Sequence, residues 1–188
     1  MKRSLGAKTL IFPTPSWVVG SYDEQGKPNG MTCAWGGVCC SQPPCVAVSL
    51  RKATYTHGNL MKRSAFTVNV PSQSQVKQTD YIGIVSGRDV DKFAATGFTP
   101  VRSDLVDAPY IQEFPLILEC NVIQVIELGL HTQFVGQIID VKADEEVLNA
   151  AGHPDILKVL PILFSPGEGA YYGVGESLGR AYTIGKGI

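Results

Sequence analysis

The sequence lacks any apolar run of the roughly 18 to 20 residues that a membrane span requires, and it has no excess of charge of one sign. Its 16 Lys and Arg residues are scattered among 17 Asp and Glu residues, so no basic stripe for nucleic acid or anionic lipid is visible. The first residues, MKRSLGAKTL, are basic but contain no apolar stretch of signal-peptide length. We therefore expect a cytoplasmic protein that binds neither membrane nor nucleic acid, with small molecules or other proteins as partners.

Cysteine pairs of the CxxC type are also missing. The five cysteines, Cys33, Cys39, Cys40, Cys45 and Cys120, form an odd set, which argues against a disulfide scaffold and against a zinc knuckle. We interpret the compartment as reducing, and the adjacent Cys39 and Cys40 as buried small apolar residues rather than redox groups. A chain of 188 residues predicts one domain over 1–188, which would bury roughly 70% of its extended surface.

Familiar signatures of nucleotide binding and hydrolysis are absent or incomplete. Neither GxGxxG nor GxxxxGK[ST] occurs, so Rossmann and Walker-type phosphate binding lose their sequence support. GESLG at 175–179 matches the GxSxG nucleophile elbow, but no histidine follows Ser177 to act as its base. The three histidines lack metal-ligand spacing such as HExxH, and we predict no metal site.

Strand signals dominate the chain. β-Branched and aromatic residues cluster between turn signals at 16–22, 45–50, 65–70 and 98–103, and the loop DEQGKPNG joins the first segment to MTCAWGGVCC as a hairpin would. The longest signal is LILECNVIQVIELG followed by HTQFVGQIIDVKAD, a ribbon typical of a barrel wall, with Gly129 at the reversal. Helices are predicted at 72–87 and 89–97. The fold class is thus predicted to be mainly β, a β-barrel with peripheral helices.

The stretch RKATYTHGNLMKRSAFTVNV, residues 51–70, lies between two predicted strands and has the chemistry of an anion site. Backbone amides at a helix N-terminus, hydroxyl donors and nearby cations together stabilise a phosphate dianion. Arg51, Lys52, Thr54 and Thr56 would supply the hydroxyls and the positive charge where a short helix begins. A solvated basic loop with a threonine N-cap explains the same residues, and their spacing does not separate the two interpretations.

Six short motifs occur together: NGMT at 29–32, paired prolines at 43–44, RKATYT at 51–56, FTVN at 66–69, SGRDVDKF at 86–93 and Gly-x-His at 129–131. In this combination the sequence resembles the flavin reductase-like, FMN-binding split-barrel family over most of its length. It departs from the family pattern at Leu130, where aspartate is frequent, and in CAWGG at 33–37, where serine and phenylalanine are frequent. The resemblance implies the split-barrel fold and one FMN bound without a covalent bond.

The resemblance also implies which residues hold the FMN phosphate. These are Arg51, Lys52, Thr54 and Thr56, with Lys92 as a further cation near the phosphate or the flavin edge. The alternative for Lys92 is a solvated helix lysine.

Other residues are implied to contact the ring: Asn29, Cys33, Ala34, Trp35, His131 and Phe164. Asn29 and the backbone of Cys33 and Ala34 would meet its polar edge, because such hydrogen bonds tune a flavin's electronics. His131 would donate to the reduced flavin. The alternatives are a hairpin residue for Asn29, a strand-end surface residue for His131, and ordinary core residues for Trp35 and Phe164.

The function implied by the resemblance is that of an electron carrier, an FMN flavoprotein that passes electrons between redox partners. The alternative is an NAD(P)H-dependent flavin or ferric reductase, and a third possibility is a flavin-sensing or storage module without turnover. Split-barrel relatives are homodimers, which makes the glycine-rich tail, with seven glycines from Gly167 to Gly187, a candidate for reaching across to the partner.

Overall fold

The computed structural model describes residues 1–187. The strands are β1 Thr14–Pro15, β2 Trp17–Tyr22, β3 Pro28–Cys33, β4 Gly36–Ser41, β5 Pro44–Arg51, β6 Ala65–Val70, β7 Pro100–Arg102, β8 Pro109–Ile111, β9 Leu116–Leu128, β10 His131–Ala143, β11 Leu163–Ser165 and β12 Ala170–Tyr172. The α-helices are α1 Tyr55–Arg63, α2 Val76–Ile84, α3 Lys92–Thr96 and α4 Ile156–Val159. Two short 3-10 helices span Gln73–Gln75 and Glu145–Val147.

One seven-stranded antiparallel sheet, in the order β3-β2-β6-β9-β10-β5-β4, forms the body of the protein. Its two end strands, β3 and β4, are joined by only two residues, Ala34 and Trp35. Because only three Cα–Cα steps, at most about 11 Å, separate Cys33 from Gly36, the end of β3 and the start of β4 lie close together. The Ser49 amide secures this closure by donating a 2.8 Å hydrogen bond to the Trp35 carbonyl. The predicted mainly β barrel with peripheral helices is confirmed.

The predicted ribbon is confirmed as β9 and β10, which reverse at Gly129 with a φ of 59°. The segment at 65–70 is confirmed residue for residue, whereas the one at 98–103 is reduced to the short strand β7. The segment MTCAWGGVCC forms two strands rather than one, because the chain turns from one end of the sheet to the other at Ala34 and Trp35.

Both predicted helical segments are shorter than expected. The segment at 72–87 begins as a 3-10 turn, where the Gln75 side chain accepts a 2.8 Å hydrogen bond from the Ser72 amide, and continues as α2. In α3, Asp91 caps the N-terminus by accepting from the Ala94 amide, and Gly97 ends the helix in the left-handed region. Residues 173–187 form no strand or α-helix, as the glycine-rich composition predicts.

Two apolar clusters hold the helices in place. The first fills the barrel interior and includes Val46, Val48, Phe66 and Phe134. The second lies between the barrel and helices α2 and α3, where Ile82 and Phe93 join residues of β2, β8 and β9. This second cluster fixes α2 and α3 beside β3, next to the N-terminus of α1. Within residues 1–187, no helix is long and apolar enough to cross a membrane.

Asn69, the last residue of the FTVN motif, is buried and fully hydrogen-bonded. Its side-chain amide donates to the Val18 carbonyl at 2.9 Å and to the Thr67 hydroxyl at 2.8 Å, and its carbonyl accepts from the Ile111 amide at 2.8 Å. These bonds connect β2, β6 and β8. The motif residue therefore supports the scaffold and leaves cofactor contacts to other residues.

Candidate functional site

The N-terminus of α1 carries two of the predicted threonines. Thr54 is the N-cap, and its hydroxyl accepts from the His57 amide at 3.3 Å and donates to the Arg51 carbonyl at 2.8 Å. Thr56 is buried, and its hydroxyl accepts a 2.8 Å hydrogen bond from the Asn29 side-chain amide. Strand β3 and the start of α1 are thus joined directly behind the site.

A cavity of about 240 Å³ opens at this helix start, and we call it the cation cavity. Thr54, Thr56 and Lys92, three of the predicted phosphate ligands, are among its lining residues. The others are Met31, Ala53, Tyr55, Gly83, Ile84, Val85, Ser86, Gly87 and Arg88. The structure therefore brings the start of α1, the segment after α2 and the start of α3 to one point.

Lys92 is the most unusual residue of the cation cavity. It is only 5% exposed, and its ammonium donates to the carbonyls of Gly30 at 2.9 Å and Ile82 at 2.8 Å. Over residues 1–187, no carboxylate lies within ion-pair distance of it. Burial lowers the pKa of Lys92 to about 8. A buried cation that meets only carbonyl oxygens is electrostatically incomplete, and an anion in the cavity would complete it.

Arg88 is a second cation of this cavity, which the sequence analysis did not assign. Its guanidinium lies 5.5 Å from the centre of the Tyr55 ring and donates to the Ala53 carbonyl at 3.1 Å. Arg88 belongs to the SGRDVDKF motif, and this motif is the feature of the sequence from which a role for Arg88 could have been predicted. Gly87 beside it has no room for a side chain, because a Cβ there would lie 2.1 Å from Asn29 Oδ1.

A second cavity, of about 360 Å³, shares Gly83 and Ile84 with the cation cavity, so the two are neighbours along one groove. Ala34 and Phe164, both predicted ring contacts, line it together with Ser16, Thr32, Asp80, Gly169 and Tyr171. The Tyr171 hydroxyl donates to Asp80 at 2.8 Å, and burial together with this carboxylate raises the pKa of Tyr171 to about 12. Ser16, Asp80 and Tyr171 were not predicted, because they come from distant parts of the chain.

The groove continues past Ala34 and Phe164. Trp35 lines a third cavity of about 320 Å³, which shares Ala34 with the second. Phe164 also borders a fourth, largely apolar cavity of about 470 Å³ beside Phe12 and Tyr172. The Cys33 side chain belongs to the barrel core, where burial raises the pKa of its thiol to about 11. The thiol of Cys33 therefore points away from the groove, and the predicted contact through its backbone stays a prediction.

Five of the predicted site residues line none of these cavities: Asn29, Cys33, Arg51, Lys52 and His131. Arg51 and Lys52 are exposed, and Lys52 forms an ion pair with Glu127. His131 is the first residue of β10 and lies opposite Arg51 in the sheet register. Their assignments to the phosphate and the ring stay predictions.

The groove has the types of side chain that an FMN requires: cations for the phosphate and apolar side chains for the ring. Its cation cavity offers two cations, Arg88 and Lys92, and the Thr56 hydroxyl proton to a dianion, whereas the Thr54 hydroxyl donates to the Arg51 carbonyl. The neighbouring cavities are lined by Ala34, Trp35 and Phe164. Two buried polar atoms, Asn29 Oδ1 and Ser16 Oγ, have no hydrogen-bond partner in the described part of the chain. Buried polar atoms normally have partners, and because Ser16 lines the second cavity, its Oγ is available to a polar ligand bound there. Asn29 lines none of the cavities, and Gly87 packs against its Oδ1.

Comparison with known proteins gives consistent matches. A family model described as the flavin reductase like domain matches residues 9–169. The flavoredoxin of Desulfovibrio vulgaris (Miyazaki F) is 54% identical, with a TM-score of 0.95 over 99% of this chain and 100% of its own. Flavoredoxin from Methanosarcina acetivorans is 33% identical, with a TM-score of 0.90 over 98% of both chains.

A third solved structure is that of an FMN-binding protein from Thermus thermophilus with bound 1-cyclohex-2-enone. It is 25% identical, with a TM-score of 0.80 over 96% of this chain and 97% of its own. These likenesses confirm the predicted FMN-binding split-barrel fold.

Proposed function

The chain belongs to the flavin reductase-like domain family, and from this premise we propose that it is an FMN flavoprotein that carries electrons, as a flavoredoxin does. The observation that carries the proposal is the cation cavity, where no carboxylate of residues 1–187 lies within ion-pair distance of buried Lys92. The 54% identity to a flavoredoxin over nearly the whole chain supports the same function. A phosphate dianion at Lys92 would supply the missing negative charge.

FMN, when bound, supplies the reversible uptake and release of electrons, and the chain holds it and controls its surroundings. Thr54, Thr56, Arg88 and Lys92 bind the phosphate. Ser16 offers its unpartnered oxygen to the polar parts of the ligand, and Ala34, Trp35 and Phe164 would exclude water from the ring. Asn29 is included from the family pattern. Arg51, Lys52 and His131 were predicted from the family pattern and complete the proposed set.

The partners proposed for the carrier are redox proteins that give or take electrons. The alternative function is an NAD(P)H-dependent flavin or ferric reductase, and the fourth cavity favours it. Its volume of about 470 Å³ and its position beside Phe164 suit a planar donor placed next to the ring. Anaerobic mixing with NADH and NADPH separates the two functions: rapid bleaching of the flavin band supports the reductase, whereas reduction by a protein donor alone supports the carrier.

Homodimer formation is part of the proposal, since it was implied by the family pattern. Apolar side chains exposed on the β9–β10 ribbon and its turn give it support: Ile123, Val125, Leu128, Leu130, Ile139 and Val141. The glycine-rich tail adds exposed Leu178 and Tyr182. Sedimentation at several concentrations tests this assembly, and a monomer at micromolar concentration contradicts it.

The cofactor proposal is tested by adding FMN to the flavin-free chain. We expect visible flavin bands that are shifted from those of free FMN and a stoichiometry of one FMN per chain. Riboflavin, which lacks the phosphate, serves as the matched ligand control and should bind more weakly. Equal binding of the two would contradict the role given to the cation cavity.

A further inference from the structure

The hairpin of β4 and β5 carries three of the five cysteines and differs from what the sequence led us to expect. Cys39 and Cys40 were interpreted as buried small apolar residues, but both are exposed. The reason is that β4 is an end strand of the sheet, and its residues Val38 to Ser41 are all exposed. Cys45, on β5, is only 2% exposed.

Cys40 and Cys45 lie directly opposite each other in the antiparallel register. Opposite residues of such a pair have Cα atoms about 4.5 or 5.5 Å apart, and both values fall within the range that disulfides use, about 4.4–6.8 Å. Their side chains project from the same face of the sheet. The register shift between Val38 and Cys40 leaves Cys39 outside the pairing. The fold therefore selects one pair from the three neighbouring thiols.

Both thiols turn towards the loop that joins the two strands. Cys40 donates to the Gln42 carbonyl and Cys45 to the Pro43 carbonyl, each at 3.3 Å. Burial raises the pKa of the Cys45 thiol, and the nearby thiols of Cys40 and Cys39 raise it further. The exposed thiol of Cys40 is thus the one that an external reagent meets first, with Cys45 beside it.

We propose that Cys40 and Cys45 form a reversible dithiol–disulfide pair that exchanges with small disulfide compounds. The Cys40 thiolate attacks one sulfur of the small disulfide, which forms a mixed disulfide and releases one thiol. The Cys45 thiolate then attacks the Cys40 sulfur and releases the second thiol. Cys40 and Cys45 lose two protons and two electrons in total, and the small disulfide gains them as it becomes two thiols.

This site is independent of the flavin groove. Cys45 and Arg51 are six residue steps apart on β5, about 20 Å along the strand, and neither Cys40 nor Cys45 lines a cavity of the groove. The disulfide would join β4 covalently to β5 and so fix an exposed end strand that is otherwise held on one side. Cys33 on β3 and Cys120 on β9 do not compete, because neither lies opposite Cys40 or Cys45 in the strand register. Both are also buried in the barrel core, where burial raises their thiol pKa values to about 11 and about 12.

The test treats the FMN-loaded protein with oxidised glutathione, blocks the remaining thiols by alkylation and maps the cross-link by mass spectrometry. We expect two thiols to be lost, the mass to fall by two hydrogen atoms, Cys40 to be bonded to Cys45, and a reductant to reverse the change. The flavin spectrum should stay the same. Because the mapping uses the unmodified chain, it does not depend on the folding of any variant.

Three variants sharpen the result. Cys39→Ser, the matched control, should still form the bond, whereas Cys40→Ser should not. Cys45→Ala should stop at a stable mixed disulfide with glutathione on Cys40. A bond between Cys39 and Cys40, a disulfide between two chains, or a stable mixed disulfide in the unmodified protein would each overturn the proposal.

Discussion

Lys92 and Lys142 lie in two regions of the molecule that shift the pKa of a lysine in opposite directions. Lys142, on β10, binds the carboxylates of Asp140 and Glu119. Burial alone would lower the pKa of Lys142, but these two carboxylates raise it overall. Lys92, in the cation cavity, meets only carbonyl oxygens, and burial lowers its pKa to about 8. The first cation is balanced within the chain, whereas the second has no carboxylate within ion-pair distance over residues 1–187.

The largest expected effect is at Lys142, whose charge is balanced by two carboxylates. Lys142→Met leaves Glu119, whose side chain is 0% exposed, as a buried carboxylate without its cation. We expect the free energy of unfolding to fall by about 3–5 kcal/mol, because an unpaired buried charge is costly. Urea denaturation measures this loss, and FMN affinity should change little. Asp140→Asn, which removes the exposed partner, is the control and should cost less than Lys142→Met.

In the cation cavity, the substitution Lys92→Met should weaken FMN binding and leave the fold intact. Losing one partner of a buried charged hydrogen bond costs about 2–5 kcal/mol, which is at least a roughly 30-fold increase in Kd. Equilibrium dialysis or fluorescence titration measures the Kd. Lys77→Met, which removes an exposed lysine of α2 that lines no cavity, is the matched control. An unchanged Kd in Lys92→Met would contradict the assignment of Lys92 to the FMN phosphate.

The pH dependence follows from the lowered pKa of Lys92. Above about pH 8 the ammonium of the flavin-free protein loses its proton, so FMN affinity should fall as the pH rises from 7 to 9. The free energy of unfolding should change in the other direction. Between about pH 8 and pH 10.5 the unfolded chain holds this proton and the folded chain does not, so stability should rise. Both slopes should be reduced in Lys92→Met, and equal slopes in the two proteins would contradict the assignment.

The smallest effect is expected at Lys52, which differs from Lys92 and Lys142 in forming an exposed ion pair. It is about half exposed and pairs with the equally exposed Glu127. Exposed pairs contribute about 0–1 kcal/mol, so Lys52→Met should alter the free energy of unfolding by no more than this. We also expect its effect on FMN affinity to be smaller than that of Lys92→Met. A larger loss of affinity would mean that Lys52 leaves Glu127 for the phosphate, as the family pattern implies.

Much of the fold could be predicted because its signals are local. Alternation identifies β9 and β10, and the cap at Thr54 follows from a threonine placed before a helix. The exposure of Cys39 and Cys40 was predicted wrongly, because nothing in their own segment reveals that β4 is an end strand. A position at the end of a sheet is a property of the strand order, which the sequence does not display.

The candidate site was predicted only in part for a similar reason. Thr54, Thr56 and Lys92 belong to motifs, and the structure brings them together around one cavity. Ser16, Asp80 and Tyr171 meet in the second cavity although more than 60 residues separate each from the next. Contacts between such distant residues form only when the sheet closes, so local sequence patterns do not predict them.

The two-residue connection of Ala34 and Trp35 has a consequence for how this protein can diversify. The same short connection closes the barrel and forms the wall shared by two cavities of the groove. A longer connection, which would enlarge these cavities, would also loosen the join between the two ends of the sheet. New specificity is therefore easier to acquire at Phe12 and on strands β11 and β12, which line the fourth cavity and lie outside the seven-stranded sheet.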